Sequence, residues 1–247
     1  MCQVQKAKDR IKITPRTSVL LMDVNAACRV DQLATMSAKL TQKTLDTLDM
    51  ETLIQMNCSP ANKILVDRLI KAEHAQCFRL NMIPVGIIGC SRRFLAQITR
   101  HKVGVEFVST SLQYGEWCEP QYYGSIDKVD QEILRSMYQY HSQKQGRDMA
   151  GYYVPEGILG SMIISATPWE WRHIIEQRTC NRNTPETKTI IEAIRVLLSQ
   201  YSNVFDVGPK CTSTGCVEMM QCKSGNYGKQ KEDLYLSFIQ PNRVSKD

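Results

Sequence analysis

The chain reads as an α+β protein. Three runs rich in β-branched or aromatic residues lie among longer segments whose apolar residues recur at helical spacing. The composition, 43% hydrophobic and 23% charged, is that of an ordinary soluble globular protein with a core to bury. At 247 residues the chain fits one large domain or two small ones, and residues 1–208 are expected to form a single one. Residues 209–247, where Gly, Ser, Lys and Gln dominate and periodicity fades, read as a polar, cysteine-containing C-terminal extension.

Taken in order, Val19–Val24 is apolar enough for a buried strand, and Asn25-Ala26-Ala27-Cys28 turns it into a helix. Thr44–Met56 places Leu45, Leu48, Leu53 and Ile54 at helical spacing. Ser59-Pro60 has the form of a helix start, a capping hydroxyl followed by proline, and the helix should continue to about Glu73. Cys77–Ile88 is expected to be a strand, with Pro84 marking an edge or a bulge. From Arg92 a helix begins again, followed by the β-prone run Val103, Val105 and Phe107. Residues 115–130 have the look of a loop; Glu132–His141 is helical, with His141 a helix-face residue. Pro155–Glu176 is expected to be mostly helical despite Gly157 and Gly160. Thr184-Pro185-Glu186 opens a last helix that buries Ile190, Ile191, Ile194, Leu197 and Leu198.

Several function classes are set aside by composition. No apolar run reaches the ~20 residues of a membrane span, and the basic N-terminus has no hydrophobic segment behind it, so a cytoplasmic protein is expected. The net charge of +6 suits anionic small molecules as well as nucleic acid. The ten cysteines are expected to be reduced and mostly buried. Cys211, Cys216 and Cys222 are too widely spaced for a usual zinc site, and no metal is expected. There is no Gly-x-Gly-x-x-Gly and no Gly-x4-Gly-Lys-Ser/Thr, so a bound dinucleotide would not sit in a Rossmann crevice.

Two constellations carry chemistry. In the first, Arg93, Gln97, Arg100 and His101 fall on one helix face, Leu95 and Ile98 on the other. Lys102 follows, then the hydroxyls Ser109, Thr110 and Ser111. Cations and amide donors at a helix end, running into a hydroxyl-rich turn, suit a phosphate or another polyanion. The plain alternative is a solvated basic face. The second is Trp169-Glu-Trp-Arg-His173-Ile-Ile-Glu-Gln-Arg178, with Trp169 and His173 one turn apart and Arg178 near a helix end. Its plain alternative is a surface helix with packed tryptophans and with Glu170, Arg172 and Glu176 solvated.

Together the two resemble the flavin-dependent thymidylate synthases, the ThyX family. Gln97-Ile-Thr-Arg100-His101-Lys102, followed by Ser111-Leu-Gln113-Tyr114, is similar to the family's Gln-x-x-Arg-His-Arg and Ser-x-Arg-Tyr signature. Trp171-Arg-His173-x4-Arg178 and the helix opened by Pro185-Glu186 resemble its second block, and Leu69–His74 the segment preceding the signature. The resemblance implies a mixed sheet flanked by helices, assembled as a homotetramer with active sites where subunits meet. It implies FAD as cofactor, with NADPH and methylenetetrahydrofolate as co-substrates, and dUMP methylated at C5 to dTMP. By position Arg100, His101, Lys102, Ser109, Thr167, Trp169 and His173 would face FAD. Gln97, Arg100, Thr110, Ser111, Gln113, Tyr114 and Arg178 would line the nucleotide site. Arg178 would be catalytic: an always-charged guanidinium cannot act as a base, but it holds negative charge developing on the uracil ring.

The chain departs from the pattern in four places. Lys102 stands for an arginine, the gap to Ser111 is one residue longer, and Gln113 and Gly151 occupy places where the family has arginines. A charge-assisted contact is worth roughly 1.5–3 kcal/mol, so losing two would weaken nucleotide binding by about two to four orders of magnitude without compensation. Arg147 and Arg93 are candidates to compensate. Otherwise the substrate is another pyrimidine nucleotide or the product a hydroxymethyl one. A third reading, a basic nucleic-acid-binding module using Arg92, Arg93, Arg100 and Lys102, predicts salt-sensitive affinity and no flavin; no nucleic-acid partner is expected under the first two.

Overall fold

The computed structural model describes residues 9–42, 48–115, 120–124 and 127–214. Among them five strands form one antiparallel sheet in the order β1-β2-β3-β5-β4: β1 Arg10–Lys12, β2 Ser18–Leu21, β3 Ile83–Ser91, β4 Val105–Ser109 and β5 Leu159–Ala166. Helices α1 Val24–Cys28, α2 Val30–Leu40, α3 Met50–Cys58 and α4 Lys63–Lys71 lie between β2 and β3. Helix α5, Arg92–Ile98, links β3 to β4. Between β4 and β5 come α6, Lys128–Gln145, and α7, Arg147–Ala150. Then follow α8 Pro168–Arg178, α9 Pro185–Ser199 and α10 Cys211–Thr214. The α+β class is the one expected, and every named strand pair is antiparallel.

Strand alternation puts Val19, Leu21, Ile83, Val85, Ile87, Met162 and Ile164 on the sheet face that meets the helices. Trp171 of α8 is fully buried there, and its indole N–H donates to the Ile83 carbonyl at 2.9 Å. Helix α9 runs through this core with Ile190, Ile191, Ile194, Leu197 and Leu198 all buried. The opposite sheet face is open: Ile88 and Val108 are 63% and 67% exposed and border a shallow apolar cavity of ≈ 570 Å³.

The largest correction concerns Pro155–Glu176, expected as one helix. Residues 159–166 are instead β5, at the heart of the sheet between β3 and β4. Its isoleucines suit a pleated strand, and Thr167-Pro168 is a second cap-plus-proline start, with the Thr167 hydroxyl accepting from the Glu170 N–H. Strand β3 is also central. Pro84 is tolerated because it lies one residue from the strand start, and the bulge falls later, between Ile88 and Cys90. Gly89 has φ +71 there, and a Cβ on it would sit 1.9 Å from the Arg16 carbonyl oxygen.

Ser59-Pro60 does not start a helix: Ser59 ends α3, and Asn62 caps α4 by accepting from the Leu65 N–H. An amide three residues on competed for the cap and won. The Thr44–Met56 helix starts only at Met50, and residues 43–47 lie outside the described ones. Of the described cysteines Cys90 is buried, Cys28 and Cys58 are exposed, and Cys77, Cys180 and Cys211 are half-buried, so "mostly buried" does not hold for them. Cys216 and Cys222 lie outside the described residues, as does most of the C-terminal extension. Among the described residues no helix is long and apolar enough to cross a membrane.

Candidate active site

Helix α5 starts because Ser91 ends β3 in extended backbone and its hydroxyl accepts from the Phe94 N–H at 3.1 Å. Phe94 and Ile98 are buried and Leu95 packs against the core, which turns Arg93 and Gln97 outward. The helix stops at Ile98, and the following turn carries Arg100, exposed, and His101, only 7% exposed. The four-residue helical face expected from spacing is therefore split: Arg93 and Gln97 lie on the helix, Arg100 and His101 on the turn beyond it.

Helix α8 brings the second constellation to the same place. In its last turn Arg178 donates from Nε to His101 Nε2 at 3.0 Å and from a terminal nitrogen to the Gln97 carbonyl at 2.8 Å. The other terminal nitrogen reaches Asn183 Oδ1 at 3.5 Å. Residues 77 and 81 positions apart are thus joined through one guanidinium. All three partners are neutral, and among the described residues no carboxylate pairs with Arg178 or Arg100. Burial, together with the neighbouring Arg100 charge, pulls the Arg178 pKa below its ordinary value. A guanidinium nevertheless stays charged across the working range.

His101 is held neutral. Burial first, then the charges of Arg178 and His173, push its pKa from 6.5 down to about 4. Because Arg178 donates to Nε2, the imidazole proton sits on Nδ1. His173, exposed on α8, meets His101 edge-on with ring centroids 5.8 Å apart, and Gln177 holds its Nε2 at 2.9 Å. This junction is a donor-rich, net-positive surface around one neutral imidazole.

A third element clamps it, and sequence reasoning had missed it. From the first turn of α9 the Thr187 hydroxyl donates to Gln97 Oε1 at 2.8 Å. One residue earlier, Glu186 is 5% exposed and accepts from the Ser91 N–H at 2.7 Å and from the Ser91 hydroxyl at 2.5 Å. Helix α9 therefore grips α5 at both ends. Its N-terminus favours the buried carboxylate, since unpaired N–H groups and the helix dipole converge there. The cap-plus-proline at Thr184-Pro185 announced this helix; what its first turn would touch was not in the sequence.

The other expected residues are engaged elsewhere. Thr167 caps α8, and its N–H donates to the Gly104 carbonyl at 3.0 Å. Trp169 stacks on Phe78 at 5.9 Å under the Arg172 guanidinium. Glu170 is not solvated as expected: it is 8% exposed and pairs with Arg79 at 3.2 Å. Lys102 is exposed. Ser109 ends β4, exposed, and Thr110 continues the strand pairing, its N–H donating to the Ser161 carbonyl at 2.9 Å. The Ser111 hydroxyl accepts from the Gln113 and Tyr114 N–H groups at 3.1 and 3.3 Å. Gln113 and Tyr114 are exposed. Gly151 is adjacent, since a Cβ there would lie 3.5 Å from Leu112.

The hydroxyls share no bond with the cations. Gly104 and Thr110, on either side of β4, are bonded to Thr167 and Ser161, six residues or roughly 20 Å apart along extended chain. Among the described residues no hydrogen bond joins Thr110, Ser111 or Gln113 to Gln97, His101 or Arg178.

A family model described as thymidylate synthase complementing protein matches residues 23–202, the stretch that holds α1 to α9. The structure is similar to that of the flavin-dependent thymidylate synthase ThyX from Helicobacter pylori complexed with FAD and dUMP. The TM-score is 0.61 at 14% identity, covering 78% of this chain and 99% of that one. It is also similar to the UMP/dUMP methylase PolB from Streptomyces cacaoi bound with 5-Br dUMP. Here the TM-score is 0.58 at 16% identity, covering 76% of this chain and 92% of that one. At such identities the two establish a shared fold. No curated protein sequence matches significantly. By the family match over most of its length, the chain belongs to the thymidylate synthase complementing protein family, as a divergent ThyX-type member.

Proposed function

We propose that the chain is a flavin-dependent thymidylate synthase, transferring a methylene from methylenetetrahydrofolate to C5 of dUMP, with FAD and NADPH as reductant, to give dTMP. The observation that carries this reading is the convergence of Arg178, His101 and Gln97, from α8 and α5, on one point. Nothing in composition required those side chains to meet. The structurally similar proteins support it, one complexed with FAD and dUMP and the other a methylase of UMP and dUMP.

The residues present fit a flavin. Cations without carboxylate partners beside a neutral imidazole complement the acceptor-rich isoalloxazine and the phosphates of FAD, and Arg100, His101, Lys102 and His173 would hold it. When bound, the flavin supplies the hydride that completes the methyl group. Arg178 faces the uracil edge and holds negative charge developing on a ring carbonyl. His101 fixes the guanidinium by accepting from Nε, and Gln97 adds amide donors. Because the hydroxyls of Thr110 and Ser111 share no bond with the junction, they serve the site of a neighbouring copy in this reading. The open sheet face and the exposed stripe Val129, Ile133, Met137 and Tyr140 of α6 offer apolar surface for a homotetramer.

A second reading, modification of another pyrimidine nucleotide, is favoured by one feature. Gln113 and Gly151, neighbours across Leu112, leave no cation where the family places two. An absorbance scan of purified protein between about 350 and 500 nm tests for the flavin. Incubation with methylenetetrahydrofolate, NADPH and either dUMP or UMP separates the readings by product. A colourless protein that yields no C5-modified nucleotide from either sinks both.

A further inference from the structure

We propose that Thr187, fed by Thr184, sets the orientation of the Gln97 carboxamide so that its NH2 group faces the bound nucleotide. The junction then reads an acceptor oxygen and discriminates against a donor in the same place. This rests on the nucleotide site proposed above.

Thr187 is fully buried, so its hydroxyl finds both donor and acceptor partners within the protein. Thr184, the cap of α9, accepts the Thr187 N–H at 3.3 Å, and its own oxygen lies 2.8 Å from the Thr187 hydroxyl. With the Thr187 proton committed to Gln97 Oε1 at 2.8 Å, the Thr184 O–H donates to Thr187. With the Gln97 carbonyl oxygen on the Thr187 side, the chain runs Thr184 to Thr187 to that oxygen. Gln97 is half-buried, its backbone carbonyl is held by Arg178, and its NH2 is the remaining polar group. With Arg178 and Arg100 alongside, every protein group presented is a donor. A turned amide would put a carbonyl among them and accept a ligand N–H instead.

The matching ligand oxygen belongs to a pyrimidine carbonyl or to the nucleotide phosphate, and three ligands separate these. Calorimetric affinities of flavin-loaded wild type, Thr187→Val and Thr187→Ser are compared for dUMP, deoxyuridine and dCMP. Valine keeps the shape but frees the amide, and the expected loss for dUMP is about five- to tenfold. An O4 partner gives the same loss with deoxyuridine and a smaller one with dCMP, whereas an O2 partner, which cytosine shares, gives the same loss with all three. A phosphate partner gives equal losses with dUMP and dCMP and none with deoxyuridine. Thr187→Ser, which restores the hydroxyl, stays within about twofold of wild type. Thr187→Val keeps the flavin content of wild type and its melting temperature falls only by the worth of one buried hydrogen bond, about 2–4 °C; a general loosening of α9 would release the flavin as well. The proposal is overturned if Thr187→Val binds all three ligands as wild type does, if Thr187→Ser fails to rescue, or if flavin is lost along with affinity. Wild type binding no pyrimidine nucleotide would remove the functional reading and this one together. Wild-type binding of dUMP with an unaffected valine variant would remove this one alone.

Discussion

The cationic junction and the hydroxyl turn are built in opposite ways. Arg178, His101 and Gln97 are held by bonds spanning 77 to 90 residues of sequence, from three helices or their ends. Ser111 spends its hydroxyl on N–H groups two and three residues ahead, and Gln113 and Tyr114 stand in solvent. The first is fixed before any ligand arrives; the second is shaped by local turn chemistry and free to meet something else. Preorganised charge belongs where a transition state must be stabilised, and adaptable groups where a substrate is gripped.

Substitution can break that contrast. The largest effect is expected for Arg178→Ala: turnover falls more than a hundredfold while flavin stays bound, read as dTMP formation and flavin absorbance. Retained turnover would take Arg178 out of the catalytic role. Next comes the clamp. Glu186→Ala leaves Ser91 with two unanswered donors in the core and should cost about 3 kcal/mol in urea unfolding. A loss below about 0.5 kcal/mol would show that α5 holds its place without α9. His101→Ala is expected to lose flavin on gel filtration, because in the proposed reading the imidazole faces the cofactor; unchanged flavin content would remove it from the cofactor site.

A gentler probe is pH. His101 titrates at about 4 in the folded chain against 6.5 as a free group. Between those values the unfolded chain binds a proton that the folded one refuses, so stability rises with pH across the window. It falls as pH drops below 6.5, with no further change from this group below about 4. Unfolding free energies of wild type and His101→Gln between pH 4.5 and 7 should differ in slope, wild type being steeper; parallel curves would mean that His101 is not buried neutral. The smallest effect belongs to Ser111→Ala, under about 1 kcal/mol in stability. If its nucleotide affinity falls while stability holds, the turn serves a ligand, and mixing this variant with Arg178→Ala tests whether that ligand sits on another copy. Recovered turnover in the mixture is the expected result.

Much of this was written in local signals and some was not. Thr184-Pro185 announced α9, and Leu95 and Ile98 at helical spacing pointed to α5, though not to Phe94 as its buried anchor. Thr167-Pro168 carried the same start signal as Thr184-Pro185, yet the apolar run from 155 to 176 masked it, because a buried strand and a buried helix both read as continuous apolar residues. The meeting of Arg178 with His101 was suggested by family resemblance; spacing alone allowed only two basic helix ends. The Thr187–Gln97 and Glu186–Ser91 bonds were illegible, since they depend on how two helices 90 residues apart are docked. The strand between Gly104 and Thr110 was legible as the β-prone run Val103, Val105 and Phe107; that the hydroxyls beyond it share no bond with the junction was not.

Trp171 offers a last lesson. It is rooted in the core two turns before Arg178 on one unbroken helix. The guanidinium is the tip of a stiff arm whose pivot is cemented among the sheet's isoleucines, so it moves only if the interior moves. Natural or engineered changes of substrate would then accumulate in the loose turn after β4, leaving the arm untouched. A library randomised at Ser111, Gln113 and Tyr114, leaving buried Leu112 and the strand-paired Thr110 in place, is where new nucleotide preferences would surface without loss of folding.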